Sequence, residues 1–237
     1  MQLLRIVFVM IIAYLMGSIP VGLFVVKLKN GQDVRTIKSG RTGGTNAMRA
    51  AGFWAGFITS CLDLAKGMLS VLIARLIAPD NYWMEISTAL IAIIGHNYSI
   101  FLIERDTTGR LRFRGGAGGA TAAGGAIILW LPGIFIIVPV AVAILFGVGY
   151  ASLATISIPI SSIIIFIIRA HLGYAPWAYI LYGIFAELII LWALRPNIKR
   201  LLNGTERLVG WRAKRNQKRG KTDRNQRQFS GNPIKNI

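Results

Sequence analysis

The 237-residue sequence is too apolar for an ordinary soluble domain. Of its residues 54% are hydrophobic and only 15% are charged, whereas about a quarter of the residues of a typical soluble domain carry a charge. The formal net charge of +18 by itself says little about the substrate. Because Cys61 is the single cysteine, a disulfide framework and a cysteine-based metal site are both excluded.

Seven apolar segments are predicted to cross a membrane as helices, and most have the length that the hydrocarbon layer requires. The first is too long for a signal peptide, and no small-residue cleavage site follows it. The fourth is short and could continue through Pro132-Gly133 as one bent helix, but six crossings would then export the basic C-terminal tail. We therefore predict an all-α, polytopic membrane protein with spans near 5–26, 53–78, 86–103, 117–131, 134–149, 153–169 and 176–194.

The basic residues gather on one side of these spans. Loops 27–52 and 104–116 hold six and four Lys or Arg, and the sequence after the seventh span holds thirteen of the total of 27. The positive-inside rule makes this side cytoplasmic, with the N-terminus outside and the C-terminus inside. A membrane domain at 1–202 is thus followed by a basic tail at 203–237, which is predicted to be disordered. Anionic lipid headgroups or topology alone explain its charge, so no nucleic-acid partner is expected.

The segment Ser39–Gly52 has the composition of a phosphate-binding loop. Its glycines, among them Gly43, allow backbone N–H groups to form a concave anion-binding nest. A helix expected to begin near Ala50 would direct its positive end to the same place. The alternative is a solvated basic loop that only obeys the topology rule. The side chains that add hydrogen-bond donors are Arg41, Thr42, Thr45, Asn46 and Arg49.

A second glycine-rich run, from Arg114 to Thr121, lies where the basic loop 104–116 enters the fourth span. It could form a second anion nest, or its small residues could simply let helices approach closely. Two such loops on one face indicate phosphate-bearing substrates at the cytoplasmic surface.

Ionisable residues inside the predicted spans require a partner or a function. Asp63 and Lys66 are three positions apart on one helix face and could form an ion pair that locks the bundle. Glu187 lies at a similar depth and could face them, whereas His96 is expected to be a hydrogen-bond donor in helix packing. The same residues would suit a transporter, although no inverted repeat is apparent.

With these motifs in this order and spacing, the chain resembles the bacterial acyl-phosphate:glycerol-3-phosphate acyltransferases. The resemblance implies a seven-span fold in the cell membrane with a site that faces the cytoplasm. It also implies acyl transfer from acyl-phosphate to the sn-1 hydroxyl of glycerol 3-phosphate, giving lysophosphatidic acid. No metal or cofactor is implied, and a soluble enzyme that produces acyl-phosphate is a further candidate partner. The matching segments are Gly17–Pro20, Ser39–Gly52, Asp63–Gly67, Gly95–His96, Gly115–Gly124, Ser152–Thr155 and Asn197–Glu206.

The resemblance also implies roles for individual residues. The expected catalytic set is Ser39, Ser152, Thr155 and Asn197. The expected ligands of the substrate phosphates are Gly43, Thr45, Asn46 and Arg49 in the first loop and Arg114, Gly115, Gly116, Gly118 and Thr121 in the second. The expected supporting residues are Asp63, Lys66, His96 and Glu206.

Two positions depart from the family pattern. The family has a functional Lys where this chain has Ala117, and a functional His where it has Leu194. If the site has been rebuilt, Arg112 or Arg114 is expected to supply the missing charge. If it has been eroded, the chain is a non-catalytic or regulatory relative that binds phosphorylated glycerol or lipid.

Overall fold

The computed structural model describes residues 2–210, 212, 213 and 215. In this part of the chain the helices are α1 (Gln2–Ser18), α2 (Val21–Asn30), α3 (Gly44–Ala51), α4 (Phe53–Ile77), α5 (Tyr82–Asn97), α6 (Gly119–Leu129), α7 (Ile134–Ala143), α8 (Ala151–His171) and α9 (Ala178–Leu202). Strands β1 (Ser99–Arg105) and β2 (Leu111–Arg114) lie between α5 and α6, and 3-10 turns occupy Val34–Thr36 and Leu131–Gly133. A π-helical turn at Ile144–Val148 extends α7.

Five segments of the described chain are long and apolar enough to cross a membrane. They are Leu3–Asn30, Phe53–Ile77, Leu131–Val148, Ala151–His171 and Ala178–Leu202. Helices α5 and α6 are shorter, with 16 and 11 residues. The prediction of a polytopic helical membrane protein is therefore confirmed, and five of the seven predicted spans have the length that a crossing requires.

The prediction of an all-α fold is wrong at the third span. Helix α5 ends at Asn97, and the rest of the predicted span belongs to β1, which pairs antiparallel with β2. An apolar run of β-branched and aromatic residues such as 100–103 suits a strand as well as a helix. The charged insertion that follows it supplies the turn and the second strand, so the run forms a hairpin.

The first predicted span is broken at Ile19-Pro20, between α1 and α2. Proline has no N–H group, and it disfavours the helical conformation of the residue before it. The carbonyl oxygens that lose their helical partners are satisfied from elsewhere: Ser99 Oγ donates to Ser18, and Lys66 Nζ donates to Ile19 at 3.0 Å. Within a membrane such replacement partners are obligatory.

Helix α6 lies at the centre of the bundle and is almost entirely buried. It can cross α4 closely because glycines stand at the contact: a Cβ atom on Gly67 would strike the backbone of Thr121, and one on Gly124 would strike the backbone of Leu64. Small residues commonly mediate such close helix approach in membranes. The glycines within α6 therefore serve helix packing.

The loops collect at two ends of the bundle. At the glycine-rich end, which comprises 31–43, 98–118, 149–150 and 203–209, Thr42 N donates to Gly115 O at 3.2 Å and Val209 N to Gly149 O at 2.8 Å. The opposite end comprises 78–81, 130–133 and 172–177. Residues 203–209 thus pack on the bundle, so the packed part of the chain extends past the domain boundary predicted at 202. The tail was predicted to be disordered from 203 onward, which is wrong for 203–209 because backbone and side-chain hydrogen bonds hold this segment on the bundle. Residues 216–237 lie outside the described residues.

Candidate functional site

A cavity of about 500 Å³ lies at the glycine-rich end and continues between α4 and α7. Its polar part is lined by side chains from the two glycine-rich loops, α3 and the end of α9. Its apolar part reaches the outer surface, since Phe53 and Phe57, which line it, are 55% and 51% exposed. The other apolar lining residues include Leu64, Ala123, Ile137, Val138, Ala141, Val142, Leu145, Phe146 and Ile158. The cavity therefore suits a ligand with an anionic head and a hydrocarbon chain.

Three helices begin at the wall of this cavity. The first turns of α3 (Gly43–Thr45), α6 (Gly118–Ala120) and α8 (Ala151–Ser152) all line it. The first N–H groups of a helix have no partner within the helix, and its dipole makes that end positive, so helix N-termini favour anions. A helix was predicted to begin near Ala50, and α4 begins at Phe53, but the short helix α3 that precedes it was not predicted. Gly43 and Thr45 stand at the start of α3.

Arg49 reaches the cavity from α3 and forms no ion pair within the described chain. Its Nη2 atom is buried and has no hydrogen-bond partner among the described residues. Burial lowers the pKa of Arg49, and the neighbouring charge of Arg207 lowers it further. A buried guanidinium group with free donors is suited to binding an anion.

Arg41 is a second cation of the cavity. The sequence analysis named it as a donor of the first loop but did not include it among the expected phosphate ligands. Its Nη1 donates to Gly116 O at 3.0 Å, and its Nη2 donates to Ala193 O and, at 3.2 Å, to Asn197 Oδ1. Burial lowers the pKa of Arg41, and the charge of Arg200 acts in the same direction. The sequence feature that points to Arg41 is its position as a charged residue inside the glycine-rich motif of the first loop.

Asn197 is oriented by the segment that follows α9. Its Nδ2 donates to Glu206 Oε1 at 3.0 Å, and Glu206 Oε2 accepts from Arg200 Nε at 3.0 Å. The Glu206 side chain is only 4% exposed. These contacts fix the Asn197 amide, so that its oxygen points to Arg41.

Asn46 organises the first loop. Its Nδ2 donates to the carbonyl oxygens of Val34, Ile37 and Arg41, each at 2.9 Å, and its Oδ1 accepts from Ser39 N at 3.4 Å. Its side-chain donors are therefore engaged with the backbone, in contrast to the expected phosphate contact. Ser39 itself lines the cavity.

The second loop contributes mainly through its backbone. Gly116 N donates to His96 O at 2.9 Å, and the carbonyl oxygens of Gly115 and Gly116 accept from Thr42 N and Arg41. These two glycines join the loops and do not line the cavity. Gly118 lines it, and its φ of +84° turns the chain into α6. Thr121, also an expected ligand, is buried outside the cavity lining.

Arg114 and Arg112 do not reach the cavity, so the expectation that either supplies its missing charge is wrong. Arg114 Nε lies 2.6 Å from Glu104 Oε2, and Glu104 Oε1 lies 2.8 Å from Arg35 Nη1. The hydrogen bond from Arg35 lowers the pKa of Asp33. This surface network links the first loop to the hairpin, on which Arg112 is exposed.

Ser152 and Thr155 line the cavity at the start of α8. Ser152 is 2% exposed, and its Oγ has no hydrogen-bond partner among the described residues. Thr155 Oγ1 donates to Ala151 O at 2.9 Å. Ala117 and Leu194, the two positions that depart from the family pattern, also line the cavity. The free hydroxyl group of Ser152 therefore lies in the same cavity wall as the uncharged residues Ala117 and Leu194.

Asp63 and His96 line the cavity next to a buried ion pair. Asp63 Oδ1 lies 2.9 Å from Lys66 Nζ and 3.4 Å from His96 Nδ1, so the predicted Asp63–Lys66 pair is confirmed. Lys66 and Glu187 do not line the cavity, and Glu187 has no ion pair among the described residues. The polar set that would suit a transporter is thus not assembled, and the described residues contain no group of three His, Cys, Asp or Glu placed to hold a metal ion.

The chain is similar to known acyltransferases over most of its length. A family model described as glycerol-3-phosphate acyltransferase matches residues 7–204. A glycerol-3-phosphate acyltransferase of Thermus thermophilus is 35% identical over 213 residues, covering 87% of this chain and 96% of the relative. That of Rubrobacter xylanophilus is 36% identical over 210 residues, with the same coverage. The crystal structure of PlsY, an integral membrane glycerol 3-phosphate acyltransferase, in its glycerol 3-phosphate form matches with a TM-score of 0.72 and 34% identity, covering 86% of this chain and 96% of that one.

Proposed function

Because the chain belongs to the glycerol-3-phosphate acyltransferase family, we propose that it transfers a fatty acyl group from acyl-phosphate to the sn-1 hydroxyl of glycerol 3-phosphate. The products are lysophosphatidic acid and inorganic phosphate, and the reaction serves phospholipid synthesis. The observation that carries this proposal is the composition of one cavity. Three helix N-termini meet at its polar part with two guanidinium groups that have no carboxylate partner in the described chain, and an apolar channel leads from there to the surface.

The chemistry requires little beyond this arrangement. The hydroxyl oxygen of glycerol 3-phosphate attacks the acyl carbon, the bond from that carbon to the phosphate oxygen breaks, and the hydroxyl proton passes to phosphate. Acyl-phosphate is a reactive mixed anhydride, so the protein needs no covalent intermediate. It must hold two anions close together, offset their repulsion and align the hydroxyl with the carbonyl.

The proposed roles follow from where each group lies. Arg49, Ser39 and the N-terminus of α3 hold one phosphate, and the N-termini of α6 and α8, with Ser152, hold the other. Asn197, fixed by Glu206, contacts the substrates beside Thr155. The acyl chain occupies the apolar part of the cavity between α4 and α7, where it remains in contact with lipid.

We further propose seven crossings, with the N-terminus outside and the glycine-rich end in the cytoplasm. The support is that α5 and α6, although short, connect the same two ends of the bundle as the five longer segments do. The basic loops and the described residues that follow 194 belong to the glycine-rich end. The membrane domain is 1–202, and the basic tail, 203–237, begins with a segment packed on it. This cytoplasmic face also suits contact with a soluble enzyme that produces acyl-phosphate.

The activity is tested with the purified protein in detergent. We expect phosphate release from acyl-phosphate that depends on glycerol 3-phosphate, with lysophosphatidic acid detected by mass spectrometry. Glycerol is the matched control, since it has the hydroxyl group but lacks the phosphate, and it should not support release. Binding of glycerol 3-phosphate without any release would instead identify a non-catalytic relative with an eroded site at Ala117 and Leu194.

The orientation is tested by cysteine labelling in sealed cells of a Cys61→Ala background. Asn81→Cys, at the opposite end, should react with a membrane-impermeant thiol reagent added outside. Lys38→Cys, at the glycine-rich end, should react only after the membrane is permeabilised. The reverse pattern would overturn the orientation and move the proposed site to the other side of the membrane.

A further inference from the structure

Arg41 lies beside the two positions of the cavity wall that depart from the family pattern, Ala117 and Leu194. It extends from the first loop and donates to the carbonyl oxygens of Gly116 and Ala193. These are the residues immediately before Ala117 and Leu194, which both line the cavity. The guanidinium group of Arg41 therefore lies next to both uncharged positions, although it comes from a different part of the sequence.

The contacts of Arg41 leave its charge uncompensated. A guanidinium group has five N–H donors, and three hydrogen bonds, all to neutral oxygens, are formed within the described chain. Arg41 has no ion pair among the described residues. The carboxylate whose charge acts on Arg41 is that of Glu206, and it is already engaged by Asn197 and Arg200. Burying an unpaired cation is costly, so an anionic ligand at this position would relieve a real penalty.

We propose that Arg41 is a second phosphate-binding residue of the site and supplies the positive charge that position 117 lacks. This inference rests on the proposed acyl transfer, in which two phosphate-bearing substrates must be bound together. Arg49 and Arg41 then provide one guanidinium group for each phosphate. The small side chain of Ala117 leaves space beside Gly116 for the head group that Arg41 contacts.

The competing explanation is that Arg41 only ties the first loop to the second loop and to α9. The two explanations differ in what can replace the residue. A tie depends on the three hydrogen bonds that Arg41 makes at its own position, so a charge supplied from elsewhere cannot substitute for it. A phosphate-binding cation can be replaced by a charge delivered to the same place from another source.

The test compares Arg41→Ala with two ways of restoring the charge. Arg41→Ala should lower kcat/KM by about 10- to 150-fold, the range expected for a lost hydrogen bond to a charged group. Millimolar guanidinium ion should recover part of the activity of this variant, and so should the double variant Arg41→Asn with Ala117→Lys. Lys38→Ala is the matched control, because Lys38 is an exposed cation of the same loop, and it should retain wild-type kinetics.

Each result of this comparison either supports or overturns the proposed role of Arg41. Recovery by guanidinium ion or by Ala117→Lys supports the proposal, and a rise in the KM of glycerol 3-phosphate or of acyl-phosphate identifies the phosphate that Arg41 holds. Wild-type kinetics of Arg41→Ala, or a loss that neither treatment recovers, would overturn it. An inactive wild-type protein would instead refute the proposed function itself, so the two failures are distinguishable.

Discussion

The half-buried arginines at the two ends of the bundle have different partners. At the opposite end Arg75 lies 2.7 Å from Glu85, which also accepts a hydrogen bond from Tyr179, and the Arg169 guanidinium group is 4.6 Å from the centre of the Trp130 ring. At the glycine-rich end the two arginines of the cavity have no carboxylate partner among the described residues. The bundle thus gives Arg75 a carboxylate partner at one end and leaves the two arginines of the cavity without one at the other.

This difference indicates that the paired arginine contributes to stability, whereas the unpaired arginines of the cavity serve function. A paired cation in a bundle can serve packing alone, because its partner offsets much of the cost of burial. An unpaired one lowers stability unless a ligand compensates, and proteins retain such groups where function requires them. Removing arginines from the two ends should therefore have opposite consequences.

The largest expected effect is on stability and belongs to the opposite end. Arg75→Ala leaves the Glu85 carboxylate, which is 7% exposed, without its cation. Breaking a fully buried pair costs about 3–5 kcal/mol of the free energy of unfolding. Because only the carboxylate is buried here and Arg75 is 35% exposed, we expect a loss at or below the lower end of that range. We expect a clearly lower melting temperature in detergent, whereas kcat/KM per folded molecule, measured well below melting, should stay near the wild-type value.

Arg5 provides the control for this prediction, since it is an exposed arginine at the same end. Arg5→Ala should change the free energy of unfolding by no more than about 0.5 kcal/mol. If Arg75→Ala melted like the wild type but lost activity, the distinction between the two ends would be untenable.

The next largest effect should be on catalysis and belongs to the glycine-rich end. Arg49→Met keeps the length of the side chain and removes its charge, and we expect a loss of about 1.5–3 kcal/mol in kcat/KM, tenfold or more. The melting temperature should be unchanged or higher, because no partner is left behind and burial of a charge is avoided. Arg112→Met, the same exchange on the exposed hairpin, should leave both quantities unchanged. A lower melting temperature with full activity would mean that Arg49 is a structural residue.

Features that depend on local sequence could be predicted. The alternation of long apolar runs with basic loops gave the helical membrane architecture, and the three-residue spacing of Asp63 and Lys66 gave their ion pair. The composition of Ser39–Gly52 predicted an anion site from glycine nests and basic side chains, which act locally, and residues of this segment do line the cavity. That they bind phosphate stays a prediction. The hairpin was not predictable in this way, since the run 100–103 satisfies the patterns of helix and strand equally.

The sequence named Arg41 and Arg49 as donors of the first loop and Arg114 as a ligand in the second, but which of these arginines reach the cavity depends on tertiary structure. Arg41 contacts Gly116 and Ala193, which are 75 and 152 positions away. Arg114 is close in sequence to the expected second phosphate loop, but Glu104 holds it on the hairpin. Nearness in sequence therefore favoured a cation that the structure places outside the cavity, because a side chain's direction is set by contacts between distant segments.

An intermediate effect is expected from Asn46, which supports the glycine-rich end without a free donor. Asn46→Ala leaves three carbonyl oxygens of the first loop without this donor, and we expect it to cost about 1–3 kcal/mol of stability. Because the loop carries Arg41, kcat/KM should fall as well. Asn203→Ala, at an exposed position, should alter neither. If Asn46→Ala reduced activity at unchanged stability, the Asn46 side chain would have to contact substrate directly.

The smallest effect should come from Arg114, a paired cation at the same end as the two unpaired ones. Arg114 and Glu104 are each about one-third exposed, and such exposed pairs contribute about 0–1 kcal/mol. Arg114→Ala should therefore change the free energy of unfolding by less than about 1 kcal/mol. The change should be smaller still at high salt, where surface charges are screened. Its kcat/KM should match the wild type, because the side chain lies outside the cavity. A tenfold loss of kcat/KM in this variant would return Arg114 to the phosphate site, and pairing with a carboxylate would then no longer separate structural arginines from functional ones.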